Sequence, residues 1–471
     1  MNSLKFKYST LVILLALYVP FEVIILKYLP VSDRIYSILR FVPEVLIYLL
    51  LILNVVHNIY NRHWISRTPI DVALFLFVVS AIISIIVNSA PLALSIIGMR
   101  PLLRYIALFY LVSNLNIPAS RIRFFIIAII LVGGLQGVLI SYQHFAGINK
   151  VFMPRATDLE VEGVQSQFKL VQTGWGSGRE QGAGIGTFGD SVLVGLFLVF
   201  ITILSLCYYL KIKIKVLIYK VILIGIFFLA LVALFYSYSR ASVLIAIAAV
   251  PIVLFLEKKI KRLFFIGSLS MIILSGMLFL MANSSSTSSA YYNPKGKYTS
   301  PIDNITNIFS QSYVDHNLEH SRGWIIMEVG LPVLQSFKLF GYGPSGDESL
   351  GRMAKENVSG AMPFQNLGII NDVYWVALLS YYGFIGLLFF SIILWKIYKA
   401  AMSVYKNSTE PIFAMIGLCV VVMVILAVPY TFIVRTFAFR PFAFYFWLLA
   451  GLAIAEYRRI KLRKSAQSEF N

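Results

Sequence analysis

Seven arginines lie where polar turns meet apolar stretches: Arg100, Arg104, Arg179, Arg240, Arg322, Arg435 and Arg440. A guanidinium is planar, permanently charged and able to make two parallel hydrogen bonds, which suits it to phosphate. Arg240 stands in Tyr236-Ser237-Tyr238-Ser239-Arg240-Ala241-Ser242, a polar hairpin tip between two apolar runs. An unpaired guanidinium buried there costs roughly 3 kcal/mol or more, so it requires a partner. Arg435 and Arg440 bracket Thr436-Phe437-Ala438-Phe439 in another tight turn. Two roles compete at each position, because an arginine ending an apolar run also snorkels to lipid headgroups or pairs with a nearby carboxylate.

Proton chemistry would fall to the carboxylates and imidazoles of the polar segments, among them Asp190, Glu319, Glu328 and Asp372, and most of these read as solvated. Asp372 differs because it opens an apolar run, where a carboxylate is expensive unless it faces a cavity or a cation. His316 and His320 lie four apart, but no third ligand stands at a recognisable spacing, so no metal site is expected. The glycine-rich stretch from Gly174 to Gly186 has no Gly-Lys-Ser/Thr ending and follows no strand, which excludes a nucleotide-binding P-loop. Its glycines suit either an anion-binding backbone or a flexible loop.

The elements that position these groups follow from composition. The chain has 471 residues, 59% hydrophobic and 13% charged, with a mean hydropathy of +0.81. Apolar stretches near the roughly 20 residues that cross a bilayer as a helix make this an all-α polytopic membrane protein and exclude a soluble enzyme or an outer-membrane barrel. Candidate spans are 9 to 26, 38 to 57, 70 to 88, 94 to 113, 122 to 144, 188 to 210, 216 to 237, 241 to 256, 263 to 282, 371 to 395, 411 to 430 and 440 to 456. With twelve spans, the basic clusters Arg62/Arg67, Arg121/Arg123, Lys211 to Lys220, Lys258 to Arg262, Lys396 to Lys406 and Arg458 to Lys464 all fall on one side. The positive-inside rule then puts both termini in the cytoplasm.

The net charge of +19 is thus a topology signal, and nucleic-acid binding is not expected. Residues 1–282 hold the first nine spans with an outer loop near 145–187, 283–370 form a large, partly helical outer loop, 371–457 hold the last three spans, and 458–471 are a basic cytoplasmic tail. Within the large loop, Ser321 to Lys338 resembles an amphipathic helix with Trp324, Met327, Leu331 and Leu334 on one face. The first run, with Pro20 and Glu22 and no small-residue cleavage site, reads as a span and not a removed signal peptide. Cys207 and Cys419, both in apolar runs, read as buried thiols with no disulfide.

Gly186-Thr187-Phe188-Gly189-Asp190 enters a span with Arg179 upstream, and Ser239-Arg240-Ala241 forms a hairpin tip. Arg322-Gly323-Trp324 precedes Pro332 and Phe340-Gly341-Tyr342-Gly343. Asn371-Asp372-Val373-Tyr374-Trp375 runs into Tyr382-Gly383-Phe384-Ile385-Gly386-Leu387-Leu388. In that order, over residues 70 to 460, the pattern resembles the bacterial O-antigen ligase and O-antigen polymerase family. These stretches are similar to its Gly-Thr-Phe element, its Ser-Arg-Gly/Ala hairpin, the arginine helix and Gly-x-Gly turn of its outer loop (with compressed spacing here), and its His-Asn-x-Tyr-Leu motif followed by Gly-hydrophobic-Ile-Gly.

The resemblance implies a metal-independent membrane glycosyltransferase of the bacterial inner membrane, acting on its outer face without a cofactor. Donor and acceptor would be glycans on undecaprenyl pyrophosphate, with membrane lipid and a chain-length regulator protein as further partners. Arg240, Arg322, Arg179, Arg100 and Arg104 would bind the pyrophosphate, and Trp324 and Tyr374 would contact sugar or lipid. Where ligases carry a histidine, Asn371 stands here and cannot act as a base; Asp372 or Glu319 would substitute. That departure favours a repeat-unit polymerase over a ligase that transfers finished chains to lipid A core or protein. A lipid-linked sugar exporter is the rival outside enzymology, but it would place charge along a mid-membrane pathway.

Overall fold

In hydrocarbon each segment must satisfy its own backbone amides, and the apolar stretches do so as helices. The computed structural model describes residues 2–28, 33–61, 66–146, 160–161, 164–165, 183–258, 315, 318, 322–344, 370 and 372–469. The helices are α1 (Asn2–Tyr18), α2 (Glu22–Tyr28), α3 (Asp33–Tyr60), α4 (Asp71–Val87), α5 (Leu92–Asn114) and α6 (Ala119–Ala146). They continue with α7 (Ser191–Lys211), α8 (Leu217–Tyr236) and α9 (Arg240–Leu256). Next comes α10, composed of Arg322–Trp324, a π-helical segment Ile325–Gly330 and Leu331–Gln335. The last are α11 (Tyr374–Asn407), α12 (Pro411–Tyr430) and α13 (Arg440–Glu469). Every candidate span carries a helix except 263 to 282, which lies outside the described residues.

Seven helical stretches among the described residues are long and apolar enough to cross a membrane: Tyr8–Leu26, Phe41–Tyr60, Ala119–Ala146, Ser191–Lys211, Leu217–Tyr236, Tyr374–Asn407 and Pro411–Tyr430. The chain is therefore a helical, multi-pass membrane protein. Helix α13 runs on to Glu469, so most of the expected basic tail is helix. Between α6 and α7, a two-residue antiparallel pair, Glu160–Val161 with Val164–Gln165, is the sole sheet among the described residues.

Burial separates inner helices from outer ones. Helix α7 is buried continuously from Leu193 to Tyr208, α12 from Ile412 to Val424, and α13 over Phe442 to Ala455. An apolar helix enclosed by protein is central, whereas one with an exposed apolar face meets lipid. Ile52 of α3, Phe75 of α4, Leu135 of α6 and Leu217 of α8 project outward in that second way.

Helix α11 is broken. Gly383 adopts φ 67°, ψ −169°, a conformation essentially open only to glycine, and the interruption frees backbone groups inside the bundle. Residues 338–343 satisfy them: Tyr342 donates to the Ser380 carbonyl at 2.8 Å, Gly343 to Tyr381 at 3.2 Å, and Ile385 donates to Leu339 at 3.1 Å. A Cβ on Gly383 would collide with the Leu339 carbonyl and the Gly341 amide. The two glycine motifs thus meet backbone to backbone.

At one end of the bundle Lys211 pairs with Glu257 at 2.8 Å and Arg459 with Glu456 at 3.3 Å. There Arg458 also donates to the carbonyls of Ser66 and Ser113, tying α13 to α5 and to the turn before α4. The opposite end gathers the turns 183–190, 236–240, 372–373 and 431–439.

Candidate functional site

The turn between α12 and α13 organises that second end. Thr431 and Thr436 join hydroxyls at 2.6 Å, and the Phe439 amide donates to the Arg435 carbonyl at 2.9 Å. The Thr431 carbonyl accepts the Tyr374 amide at 3.0 Å, anchoring the start of α11 and placing Asp372. Asp372 Oδ1 faces Arg435 Nη2 at 3.9 Å, with the arginine side chain 8% exposed and the carboxylate 46%. Arg435 is the cation that a carboxylate heading an apolar helix demands.

Tyr430, fully buried at the end of α12, places its hydroxyl 2.6 Å from Ser242, which lies 2.7 Å from Ser239. The Ser239-Arg240 hairpin tip is thereby tied to α12. Just before it, Tyr238 holds φ 56°, in the left-handed region that costs an ordinary residue about 1–3 kcal/mol. Its amide bonds to the Phe235 carbonyl at 3.1 Å, and the Gly184 amide secures the Tyr236 carbonyl at 2.8 Å, so the surroundings over-determine the turn. Tyr236 also stacks on His144 with centroids 4.3 Å apart. Arg322 opens α10 in the segment Arg322–Trp324. Arg240 Nη1, Arg322 Nε and Arg435 Nε are all enclosed by protein. Arg435 and Asp372 thus meet in the turns beside Thr431, and the Ser239-Arg240 turn is tied to the same end of α12.

The other arginines are matched to acids. Arg100 Nε lies 2.8 and 2.9 Å from the two Glu44 oxygens, and its Nη2 donates at 2.8 Å. Arg104 stands 3.6 Å from the same carboxylate and reaches the Ala438 carbonyl at 3.4 Å. Arg440 pairs with Glu22. Of the roles open to an arginine at the end of an apolar run, these three display carboxylate pairing. Arg179 and Glu319, like Asn371, His316 and His320, lie outside the described residues.

The Gly-Thr-Phe element is a clasp. Gln143 Oε1 accepts the Ile185 and Gly186 amides at 2.9 and 2.8 Å, Gln136 donates to the Thr187 hydroxyl at 2.6 Å, and that hydroxyl bonds the Pro20 carbonyl. Asp190 then caps α7 by accepting from Val192 and Leu193 at 2.7 and 2.9 Å. Desolvation pushes the Asp190 carboxyl above its ordinary value, while the Leu193 and Val192 amides pull it down.

Helix α10 buries Ile325, Val329 and Val333 and leaves Met327, Leu331 and Leu334 of the expected apolar face exposed. In a membrane protein an apolar stripe fits lipid as well as protein, and the π-helical turn shifts the register besides. Trp324 is half-buried against the core, and Tyr374 is buried. Cys207 and Cys419 are buried free thiols that interact with each other near Glu257 and Lys211, away from this cluster. Among the described residues no group of three metal-ligating side chains occurs.

Tyr430, Ser239, Ser242, Glu22 and Glu44 are the participants that sequence reasoning passed over. The two glutamates had a readable signal, since each lies in an apolar run and must find a cation. The hydroxyls had none. Chemically, the cluster offers fixed positive charge beside a carboxylate and aligned hydroxyls, a setting for an anionic ligand and for transfer of a proton. Compared with known proteins, the chain matches no family model and no curated sequence.

Proposed function

We propose that this chain is a polysaccharide repeat-unit polymerase of the bacterial inner membrane, transferring a glycan from undecaprenyl pyrophosphate to a hydroxyl of a second lipid-linked glycan. In this reading twelve spans place both termini in the cytoplasm and the arginine-rich end outside, where such donors are presented. The observation that supports it most is that the Ser239-Arg240 turn is tied through Ser242 to Tyr430 at the end of α12, next to the turn in which Asp372 faces Arg435 at 3.9 Å.

Arg240 and Arg322 bind the donor pyrophosphate. As the bond from the anomeric carbon to phosphate oxygen breaks, its electron pair passes to that oxygen, and the fixed guanidiniums offset the growing charge. Asp372, oriented by Arg435, accepts the proton of the attacking hydroxyl. Arg100 and Arg104 are engaged by Glu44, and Arg104 braces the turn at Ala438. Trp324 and Tyr374 line the approach for sugar or lipid.

The decisive experiment supplies purified protein with one defined lipid-linked repeat unit and measures glycan length. Wild-type protein should elongate it, and Arg240→Ala and Arg322→Ala should not, at unchanged abundance. Normal chain length in both variants removes the assignment. Product analysis in cells separates polymerase from ligase: loss of the former leaves single repeat units, loss of the latter leaves long chains on the carrier lipid.

A further inference from the structure

Positive charge is left over where helices α3 and α5 meet. Arg100 and Arg104 share the single carboxylate of Glu44, and among the described residues no other acid pairs with either, so the group carries a net charge of +1. Its depth follows from the helices. Glu44 lies three positions inside the apolar stretch Phe41–Tyr60, about 4.5 Å at the helical rise, and Arg104 reaches the Ala438 carbonyl in the turn between α12 and α13. The group therefore sits just within the apolar layer, at the end of the bundle opposite Arg458.

Its members are unequally covered. The Glu44 side chain is 7% exposed and that of Arg104 13%, whereas Arg100 is 32% exposed. Around Arg100 the surface is apolar, with Phe41 and Val45 of α3 and Ile96 of α5 projecting outward. Arg100 turns its Nε–Nη2 edge to Glu44 and lays its face over the Phe41 ring, 4.4 Å from the centroid. What remains is the second edge of the guanidinium, Nη1 with the other Nη2 hydrogen, a fork that no protein group accepts among the described residues. In hydrocarbon such donors require an acceptor, and the surplus charge requires an anion. A phosphodiester supplies both, since it carries one negative charge on two free oxygens spaced for a guanidinium fork.

We propose that the lipid-facing junction of α3 and α5 binds the phosphodiester of an anionic phospholipid, with Arg100 as the fork and Glu44 holding the charge of the site to one. Charge balance selects this lipid. A phosphomonoester such as polyprenyl phosphate carries about −1.5 to −2 at neutral pH, more than the surplus, and a zwitterionic headgroup brings an ammonium to a site already positive. Glu44 is thus the residue that sets lipid selectivity, and Arg100 the residue that touches the headgroup.

The test measures binding of four lipids to the detergent-purified full-length protein by native mass spectrometry: dioleoyl phosphatidylglycerol, dioleoyl phosphatidic acid, dioleoylglycerol and polyprenyl monophosphate. Wild-type protein should bind phosphatidylglycerol about tenfold or more tightly than dioleoylglycerol, and more tightly than either monoester. Arg100→Gln should remove that tenfold gain, and Arg100→Lys, which keeps the charge without the fork, should remove part of it. Glu44→Gln raises the surplus to two charges and should reverse the preference in favour of phosphatidic acid. Arg463→Gln, a basic residue at the opposite end, is the control and should leave all four affinities in place. Should Glu44→Gln fail to fold, the two Arg100 variants decide. Equal wild-type affinity for phosphatidylglycerol and dioleoylglycerol, an undiminished gain in Arg100→Gln, or the same loss in Arg463→Gln overturns the site. Tighter wild-type binding of polyprenyl monophosphate than of phosphatidylglycerol overturns the phospholipid assignment and gives the cleft to the carrier lipid.

Discussion

Asp372 and Glu44 are both carboxylates beside arginines, yet their settings assign them opposite work. Glu44 is buried and held by Arg100 and Arg104, so its lone pairs are committed. Asp372 has a single cation at 3.9 Å and keeps about half its surface open. A carboxylate oriented from one side and accessible from the other is the better proton acceptor. Asp372→Asn should therefore lower the turnover of glycan transfer by roughly 10²–10⁴-fold without weakening donor binding. Single-turnover kinetics with a defined lipid-linked donor would check this, and an unchanged chemical step would remove Asp372 from the mechanism. The arginine types and their phosphate chemistry were readable residue by residue. Which arginines pair with acids was not, because Glu22 and Arg440 lie 418 positions apart.

Elements carry the next constraint, since helix α5 holds two cations within its apolar length and must bring them to a partner. Glu44 on α3 is that partner, which explains why α3 and α5 pack together despite the charges that interrupt their hydropathy. Removing one member of a buried ion pair typically costs about 3–5 kcal/mol because it strands the other. Glu44→Ala should lower the thermal midpoint in detergent accordingly, and no change would show that water or lipid already satisfies Arg100 and Arg104. Helix α11 makes a second demand through its break at Gly383. Gly383→Ala should destabilise by roughly 1–3 kcal/mol, since it strains the backbone and meets residues 339–341. Gly225→Ala in α8, where nothing lies within 4 Å, is the matched control and should leave the midpoint in place. The helices themselves were legible from hydropathy. The face that α10 buries was not, because protein and lipid interiors reward the same apolar stripe.

At the scale of the molecule, charged groups divide between two ends. The proposed topology makes a direct prediction: with Cys207 and Cys419 replaced by alanine, Arg463→Cys and Phe337→Cys should react with a membrane-impermeant maleimide from opposite sides. Labelling from one side would refute the orientation and move the arginine cluster away from the lipid-linked donor. Both positions are exposed at the protein surface. What the amino-acid order determined alone is the class of protein and the chemistry on offer, because hydrophobic length and residue type are local properties that a bilayer reads segment by segment. Tertiary structure decided which charges neutralise one another and which turns meet at the end of α12, because pairing depends on how helices pack sideways, and near-uniform apolar surfaces leave that choice to shape, to small residues such as Gly195, and to a few buried polar contacts.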